Sequence, residues 1–415
     1  MSTTILIIGL MLFFAHFLSL QFSKTNIPDV LVLMLVGIVL GPLLGIVTPE
    51  DFGKIGSLIA TIALVVILFE GGTTLNLDVL GKSLGTTGLL AMVSFVLTAA
   101  IIAAIGFYSL GLELLPATML GVTLGNTSSS VVIPLVNSLK MSNQPGTVLV
   151  LESALTDVLS IVGVFALLQI HTEGDVVPGR LVGTVLASLI FAAVIGLLGG
   201  IGWLMVLGKV RNFPNTISST LAYVFIVYGL TEMLGYSGAI AALALGVSLT
   251  NFQKFHLYRI PYIDKSIVPL NEIDLAFYSE AVFLLKTYFF VYLGISIHFS
   301  DFALAVAAIS MVSVVYIMRL GLARVVFSND GYSLRDTAIA SMMAPKGLAS
   351  AVLATLPLQY GVAGGEMIRN TTYMVVLVSI TLTALLVMIY PNRYAQRLYG
   401  LILGKPVSKP GTTDS

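Results

Sequence analysis

Long runs of apolar residues, separated by short polar segments, repeat along the whole chain. Runs of about 17–25 apolar residues can cross a lipid bilayer as α-helices. We predict about thirteen such spans, numbered in chain order: 4–22, 28–47, 54–72, 84–109, 115–138, 147–170, 181–207, 217–234, 236–252, 276–298, 302–327, 334–360 and 370–390. The pattern therefore predicts an all-α integral membrane protein.

Composition supports a membrane protein and excludes several other classes. Hydrophobic residues make up 57% of the chain and charged residues 10%, whereas a soluble domain carries roughly 25% charged residues. The 20 basic and 20 acidic residues balance, which excludes a general nucleic-acid binder. The chain has no cysteine, and its four histidines show no metal-ligand spacing. We therefore expect no cofactor or prosthetic group.

The basic residues indicate an orientation. If the N-terminus lies outside, the outer loops hold only Lys54, Arg180 and Arg369, and most other Lys and Arg fall in the inner loops and tail. Cytoplasmic loops attract Lys and Arg. We therefore predict an external N-terminus, a cytoplasmic C-terminus and a short flexible tail over 391–415, in a chain that lies in the plasma membrane.

Two stretches resemble each other roughly 210–220 residues apart, which suggests an internal repeat. "LMLVGIVLGP" (33–42) resembles "ALALGVSLTN" (242–251), and "ILFEGGTTLNLDVL" (67–80) aligns with "FVYLGISIHFSDFA" (290–303). This pairs spans 1–6 with spans 8–13 in opposite orientation, as in many secondary transporters. The predicted transmembrane domain, 1–390, thus divides into repeat one (1–170), a linker helix (181–207) and repeat two (217–390).

Spans 5 and 12 occupy matching positions in the two repeats, and both contain residues that interrupt helices. Span 5 includes Asn126 and a hydroxyl run over 127–130 before Pro134, and span 12 contains Pro345, Lys346 and Gly347. Irregular backbone within a membrane is tolerated only where it is buried in protein or lines a cavity. We predict two broken helices that cross; close packing through small residues is the alternative.

Ionisable residues within predicted spans are functional candidates, because each costs about 2.5–3.5 kcal/mol at the centre of a spanning helix. They are Glu152, Asp157, Glu232, Glu280, Lys286, Arg319, Arg324 and Lys346, with Glu70 nearer a span end.

Span 6 holds the sharpest cluster, "LVLESALTDVLSIVGV". Helical spacing places Ser153, Thr156, Asp157 and Ser160 on one face, so one carboxylate is surrounded by hydroxyl groups. Such oxygens suit a monovalent cation, and the carboxylate can bind a proton instead, because desolvation disfavours its charged form. A structural ion pair or a helix-cap role is the alternative for Asp157.

Glu152 faces away from this cluster and needs a cationic partner. From the residues alone, Arg319 in span 11 and Lys346 in span 12 are both candidates for that partner.

At these residues the sequence resembles the monovalent cation/proton antiporter superfamily, over about residues 1–390. The resemblance rests on the order and spacing of several motifs: "LFEGG" (68–72), "LGNTSSSVVIPLV" (124–136), "ESALTDV" (152–158), "GYSGAIAALALGV" (235–247), "FFVYLGISI" (289–297), Arg319 and "APKGLASAVLA" (344–354).

The resemblance implies a homodimer in which a mobile six-helix core carries the ion as an elevator. By position, Asp157 would bind Na+, K+ or a proton, with oxygens from Thr156, Ser153, Thr127 and Ser128. It also implies that Glu152 pairs with Arg319. Lys346, Asn126 and Ser160 are secondary site candidates.

The sequence departs from the family pattern at three positions. Thr156 stands where electroneutral exchangers usually have Asn and electrogenic ones Asp. Ser128 stands where the sodium/proton branch commonly has Asp, and Lys346 where that branch usually has Arg; the serine is closer to the potassium-efflux branch. These differences leave the choice of cation open.

We expect a cation/proton antiporter and not an enzyme, with Na+ or Li+ as the first cation and K+ as the second. One titrating carboxylate predicts electroneutral exchange. The alternatives are a K+ efflux transporter or channel of the same lineage, and a Na+-coupled symporter of organic anions that uses Lys346. An intramembrane aspartyl protease would need a second Asp facing Asp157, and the spans supply none.

Overall fold

A computed structural model describes the following residues of the chain: 9–10, 13–17, 28–74, 77–173, 178–211, 216–257, 263, 268–297, 299, 302–327 and 332–405. These residues form helices and no strands, which confirms the predicted all-α class. Predicted span 4–22 lies mostly outside the described residues, although 9–10 and 13–17 are helical.

The helices, numbered in chain order, have these bounds: α1 Asp29–Ile38, α2 Gly53–Thr74, α3 Leu77–Leu110, α4 Leu114–Thr123, α5 Ser129–Ser138, α6 Asn143–Glu173, α7 Pro178–Val210, α8 Ser219–Met233, α9 Gly238–Thr250, α10 Glu272–Ile295, α11 Phe302–Val326, α12 Leu334–Met342, α13 Leu348–Leu353, α14 Thr355–Gln359, α15 Gly365–Ile389 and α16 Arg393–Leu403. A π-helical turn, Val39–Leu43, continues α1 around Pro42.

Among the described residues, 6 helices are long and apolar enough to cross a membrane. They lie within α3, α6, α7, α10, α11 and α15. The other predicted spans beyond the first coincide with shorter helices: one each for 28–47, 54–72, 217–234 and 236–252, two for 115–138 and three for 334–360. The total of about thirteen spans therefore stays a prediction.

The chain forms two compact units, and each draws on both predicted repeats. Unit 1 comprises 1–49, 83–163 and 290–415, and unit 2 comprises 50–82 and 164–289. In unit 2, α9 packs against α2, α7 and α8 around a buried apolar cluster that includes Phe69 and Trp203. In unit 1, α15 packs against α4, α11 and α13. All the site residues described below belong to unit 1.

Each unit contains a crossing at which two helices touch through glycine. In unit 1, a Cβ atom added to Gly37 would lie 2.2 Å from the Val291 carbonyl oxygen, and one added to Gly294 would lie 2.2 Å from that of Met34. In unit 2, Gly72 and Gly246 meet in the same way, with added Cβ atoms 2.2 Å and 2.3 Å from main-chain oxygens of the facing helix. Each crossing joins one stretch from the first aligned pair to one stretch from the second, 33–42 to 290–303 and 67–80 to 242–251, although the inverted repeat itself stays a prediction.

The C-terminal tail differs from its prediction. We expected a flexible segment over 391–415, but 393–403 form α16, which packs against α11 and α12. Asn392 caps the helix by accepting a hydrogen bond from the Tyr394 amide at 3.0 Å. Apolar residues at helical spacing, Tyr394, Leu398 and Leu401, were the overlooked signal. Residues 406–415 lie outside the described part of the chain.

Candidate functional site

Two interrupted helices meet in unit 1, and this meeting point organises the candidate site. The first interruption separates α4 from α5 over residues 124–128, and the second separates α12 from α13 over residues 343–347. The Ser128 amide donates a hydrogen bond of 2.8 Å to the Pro345 carbonyl. A Cβ atom on Gly347 would lie 1.9 Å from Ser128 Oγ. The predicted interruptions of spans 5 and 12 are therefore confirmed, and the two are in direct contact.

Glycine and proline explain where the second interruption falls. Pro345 has no amide hydrogen and disfavours helical backbone at the residue before it. Gly347 begins α13 with φ −149° and ψ −150°. The small size of Gly347 is what allows Ser128 to approach its main chain, because any side chain would overlap the serine. The residues of both interruptions are mostly buried.

Asp157 on α6 points into the first interruption. Asn126 Nδ2 donates a hydrogen bond of 2.5 Å to one carboxylate oxygen, and Ser129 Oγ donates one of 2.6 Å to the other. A main-chain hydrogen bond from Ser129 adds a third donor. Ser129 is the first residue of α5, so the carboxylate also lies at a helix N-terminus, where the partial positive charge of the helix stabilises an anion. The carboxylate is half-buried.

Asn126 links Asp157 to the second interruption. Its side-chain oxygen accepts a hydrogen bond of 2.5 Å from Ser350 Oγ on α13, and its main-chain carbonyl accepts one of 2.6 Å from Lys346 Nζ. Lys346 is 2% exposed, and its amide donates to Ser379 Oγ on α15 at 2.9 Å. The Lys346 ammonium group thus binds a main-chain carbonyl in the break that follows α4. The Asp157 carboxylate lies on the other side of the break, at the start of α5.

Hydroxyl groups of α6 fasten this helix to the first interruption. Thr156 Oγ1 accepts a hydrogen bond of 3.0 Å from the Thr127 amide. Ser160 Oγ donates one of 2.8 Å to the Val122 carbonyl near the end of α4. The first bond satisfies the Thr127 amide, which the break would otherwise leave unpaired, and the second adds a side-chain donor to a carbonyl that the Gly125 amide also reaches at 3.2 Å. These side chains therefore hold Asp157 in register with the interruption.

The hydrogen bonds of the other predicted site residues go to groups other than the Asp157 carboxylate. Ser153 Oγ donates to the Val150 carbonyl of its own helix at 2.8 Å. Ser128 Oγ lies 3.0 Å from Ser130 Oγ and against Gly347. Thr127 contributes its amide to Thr156.

The sequence interpretation missed Ser129 and Ser350. Ser129 lay inside the hydroxyl run 127–130, but the broken backbone prevented a choice within the run. Nothing in the periodicity distinguished Ser350 from the small residues around it.

Glu152 forms a buried ion pair with Arg319 of α11. Arg319 Nη1 donates to one carboxylate oxygen of Glu152, and Nη2 donates to the other at 2.6 Å. Arg319 also donates to Ser94 Oγ at 3.1 Å and to the Ala340 carbonyl at 3.2 Å. Glu152 is 0% and Arg319 2% exposed. Glu152 therefore pairs with Arg319 and not with Lys346. Through the hydrogen bonds of Arg319, the ion pair joins α3, α6, α11 and α12.

The site contains one carboxylate, that of Asp157, which a proton or a cation can occupy in turn. Asp157 is held by neutral donors, whereas Glu152 is held by a permanent cation. A proton or a monovalent cation can therefore neutralise Asp157, and the side-chain oxygens of Asn126 and Ser129 belong to the group of residues hydrogen-bonded to it. Asp157 is the residue we would expect to hold a metal cation.

Interrupted helices that meet beside an ionisable side chain are typical of secondary transporters, and the fold and site define a protein of this class. A comparison with family models matches residues 9–389 to the family described as "Sodium/hydrogen exchanger, transmembrane". The match covers nearly the whole chain. The chain belongs to the sodium/hydrogen exchanger family.

Curated relatives are antiporters of two cations. The K+/H+ antiporter NhaP of Alkalimonas amylolytica is 23% identical over 386 residues, covering 91% of this chain and 64% of that protein. The Na+/H+ antiporter NhaS2 of Synechocystis sp. is 25% identical over 293 residues, covering 70% of this chain and 51% of that protein. The chain thus spans about half to two thirds of the length of these relatives.

Solved structures show the same fold. The sodium proton antiporter MjNhaP1 from Methanocaldococcus jannaschii at pH 8 superposes with a TM-score of 0.73 at 21% identity, covering 92% of this chain and 99% of that one. An electron-microscopy structure of MjNhaP1 gives a TM-score of 0.62 at 20% identity, covering 99% and 100%.

Proposed function

We propose that this protein exchanges a monovalent cation for protons across the membrane, and that Asp157 binds each in turn. The observation that carries this proposal is the Asp157 carboxylate held by Asn126 and Ser129 where two interrupted helices touch. Family membership and relatives named as Na+/H+ and K+/H+ antiporters support it. We take Na+ or Li+ as the first cation and K+ as the second.

Competition for one carboxylate gives the exchange its coupling. A bare charge within the membrane is costly, so the core carries Asp157 across only when a proton or a cation neutralises it. Asn126 and Ser129 stabilise the empty carboxylate while one occupant replaces the other. The moving part in this proposal is an elevator-type core.

We propose that the exchange is electroneutral. Thr156 adds no charge beside Asp157, and the charge of Glu152 is balanced by Arg319. One cation then replaces one proton in each cycle. Solid-supported membrane electrophysiology tests this directly, because a transient transport current after a jump in cation concentration would show that net charge moves.

The experiment that tests the exchange is dissipation of a pH gradient in proteoliposomes. Na+, Li+ and K+ are added in turn to the native protein, to Asp157→Asn and to Asp274→Asn. Asp274 is a matched control because its carboxylate pairs with Arg211 at 3.0 Å, outside the site. We expect at least one cation to collapse the gradient through the native protein and the control, but not through Asp157→Asn.

Other outcomes identify a different function. If no cation dissipates the gradient at any pH, antiport is wrong, and substrate-stimulated Na+ uptake would then point to symport of an organic anion. If K+ flows without proton movement, a channel of the same lineage replaces the antiporter.

We also propose a homodimer in the plasma membrane with an external N-terminus and a cytoplasmic C-terminus. The chain has no cysteine, so Arg369→Cys and Arg393→Cys each create one labelling site. A membrane-impermeant maleimide added to intact cells should label the first variant, and the second only after permeabilisation. The reverse pattern would overturn the orientation, and a single-chain mass in mass photometry would overturn the dimer.

A further inference from the structure

Helix α16 presents a second apolar face that the protein does not cover. Gly400 and Leu403 are buried against the protein. On the opposite side, Tyr394 is 81%, Leu398 57% and Leu401 80% exposed. These three side chains share one face of the helix because they are spaced four and three residues apart. A helix bathed by water on that side would place polar residues there.

The short connection between α15 and α16 limits how far α16 can lie from the membrane. It begins after only Tyr390, Pro391 and Asn392 at the end of α15, which is one of the helices long enough to cross the membrane. Three residues reach at most about 10 Å, which is comparable with the roughly 5–8 Å of headgroup and interfacial region on each side of a bilayer. The start of α16 therefore lies at the membrane surface where α15 ends.

Contacts with the rest of unit 1 fix the rotation of the helix. Arg324 Nη1 on α11 donates a hydrogen bond of 2.9 Å to the Ile402 carbonyl. The rings of Tyr390 and Tyr399 meet edge to face with centroids 5.8 Å apart. Lys405 Nζ donates to the Tyr332 carbonyl at 2.5 Å. The uncovered apolar face is thus held outward and cannot turn inward without breaking these contacts.

The charged residues of α16 itself are all basic. Arg393 and Arg397 lie one turn apart on α16, and both are exposed. The sequence contains no acidic residue between Glu366 and Asp414. Basic residues that flank an apolar helical face at the membrane surface complement the phosphates of anionic phospholipids.

We propose that α16 is an anionic-phospholipid contact site in the leaflet at which α15 ends. Tyr394, Leu398 and Leu401 lie among the acyl chains, and Arg393 and Arg397 bind the headgroup phosphates. This surface stands apart from Asp157 and does not depend on the proposed exchange. The predicted orientation places it in the cytoplasmic leaflet.

The absence of cysteine allows a direct test in the full-length protein. Leu401→Cys is labelled with an NBD fluorophore and reconstituted with nitroxide-labelled phosphatidylglycerol or phosphatidylcholine at equal mole fraction. We expect both lipids to quench the label and the anionic lipid to quench it about twofold more strongly, because basic residues at the surface attract anionic lipid. The difference should shrink at high salt.

Two controls separate the arginines from general membrane contact. Ile317→Cys on α11, where the native side chain is 68% exposed, should be quenched without preference for either lipid. Adding R393Q and R397Q to Leu401→Cys should remove the preference and keep the quenching, while R393K and R397K should retain it. Absence of quenching at position 401 would overturn the proposal and indicate that another protein surface covers this face. Equal quenching by both lipids with the native arginines would also overturn it.

Discussion

Replacing Glu152 by Gln should destabilise the protein strongly, because the change isolates a buried cation. The substitution keeps the shape of the side chain but removes the negative charge that faces Arg319. With exposures of 0% and 2%, water cannot replace the lost partner. Removing one member of a buried ion pair costs about 3–5 kcal/mol. Arg319 keeps the Ser94 hydroxyl and the Ala340 carbonyl as acceptors, so we expect the lower end, about 3 kcal/mol.

The assay is the free energy of unfolding, measured by titration with SDS in mixed micelles and followed by circular dichroism. Glu366→Gln is the matched control, because Glu366 is 71% exposed and pairs with Arg369 one turn away at 3.2 Å. An exposed pair contributes only about 0–1 kcal/mol. The double variant Glu152→Leu, Arg319→Met removes both charges at similar volume, and it should be more stable than Glu152→Gln.

Two results would refute this reasoning. One is a Glu152→Gln protein that unfolds within about 1 kcal/mol of the native protein. The other is a loss of similar size in Glu366→Gln, since burial would then not be the cause.

Three further predictions concern single contacts. Ser129→Ala should raise the apparent KM for the cation about tenfold, because a hydrogen bond that favours the ionised over the protonated carboxylate contributes about 1.5–3 kcal/mol, and its loss strengthens competition by the proton. Ser128→Ala should change the KM little; equal effects of the two variants in pH-gradient assays would contradict the assignment. Gly347→Ala should cost about 2 kcal/mol or more by overpacking against Ser128, and Ser128→Gly should partly restore it; Gly88→Ala, which meets no atom within 4 Å, is the control in the SDS titration. Gly72→Ala should likewise destabilise the protein while the neighbouring Gly71→Ala does not, and similar SDS midpoints for the two variants would show that the helix crossing can relax.

Much of the fold and part of the site could be predicted, because the membrane restricts the chain to apolar helices. A charged residue in an apolar span needs a partner of opposite sign, and Glu152 was expected to pair with either Arg319 or Lys346. Proline and glycine marked the interruptions of spans 5 and 12. In each case the type of residue within an apolar span allowed only a few local structures.

The details inside the interruptions could not be predicted, because broken backbone has no periodicity. Helical spacing placed Asp157 and Thr156 on one face of α6, yet it could not show which hydroxyl of the run 127–130 turns toward the carboxylate. That role falls to Ser129, which the sequence interpretation passed over in favour of Ser128. Lys346 binds a main-chain carbonyl. Because every residue has such a carbonyl, the residue types do not show which one accepts the bond.

The two glycine crossings bear on how much sequence change this fold tolerates. Where main chains touch, at Gly37 with Gly294 and at Gly72 with Gly246, any larger residue meets a carbonyl oxygen. At lipid-facing positions, by contrast, one apolar residue can replace another with little effect on packing. A few such positions can therefore dictate how the helices are arranged, while the residues on most of the surface can be replaced by others. Constraint at a few positions is a physical route by which an architecture can persist at an identity as low as 21%.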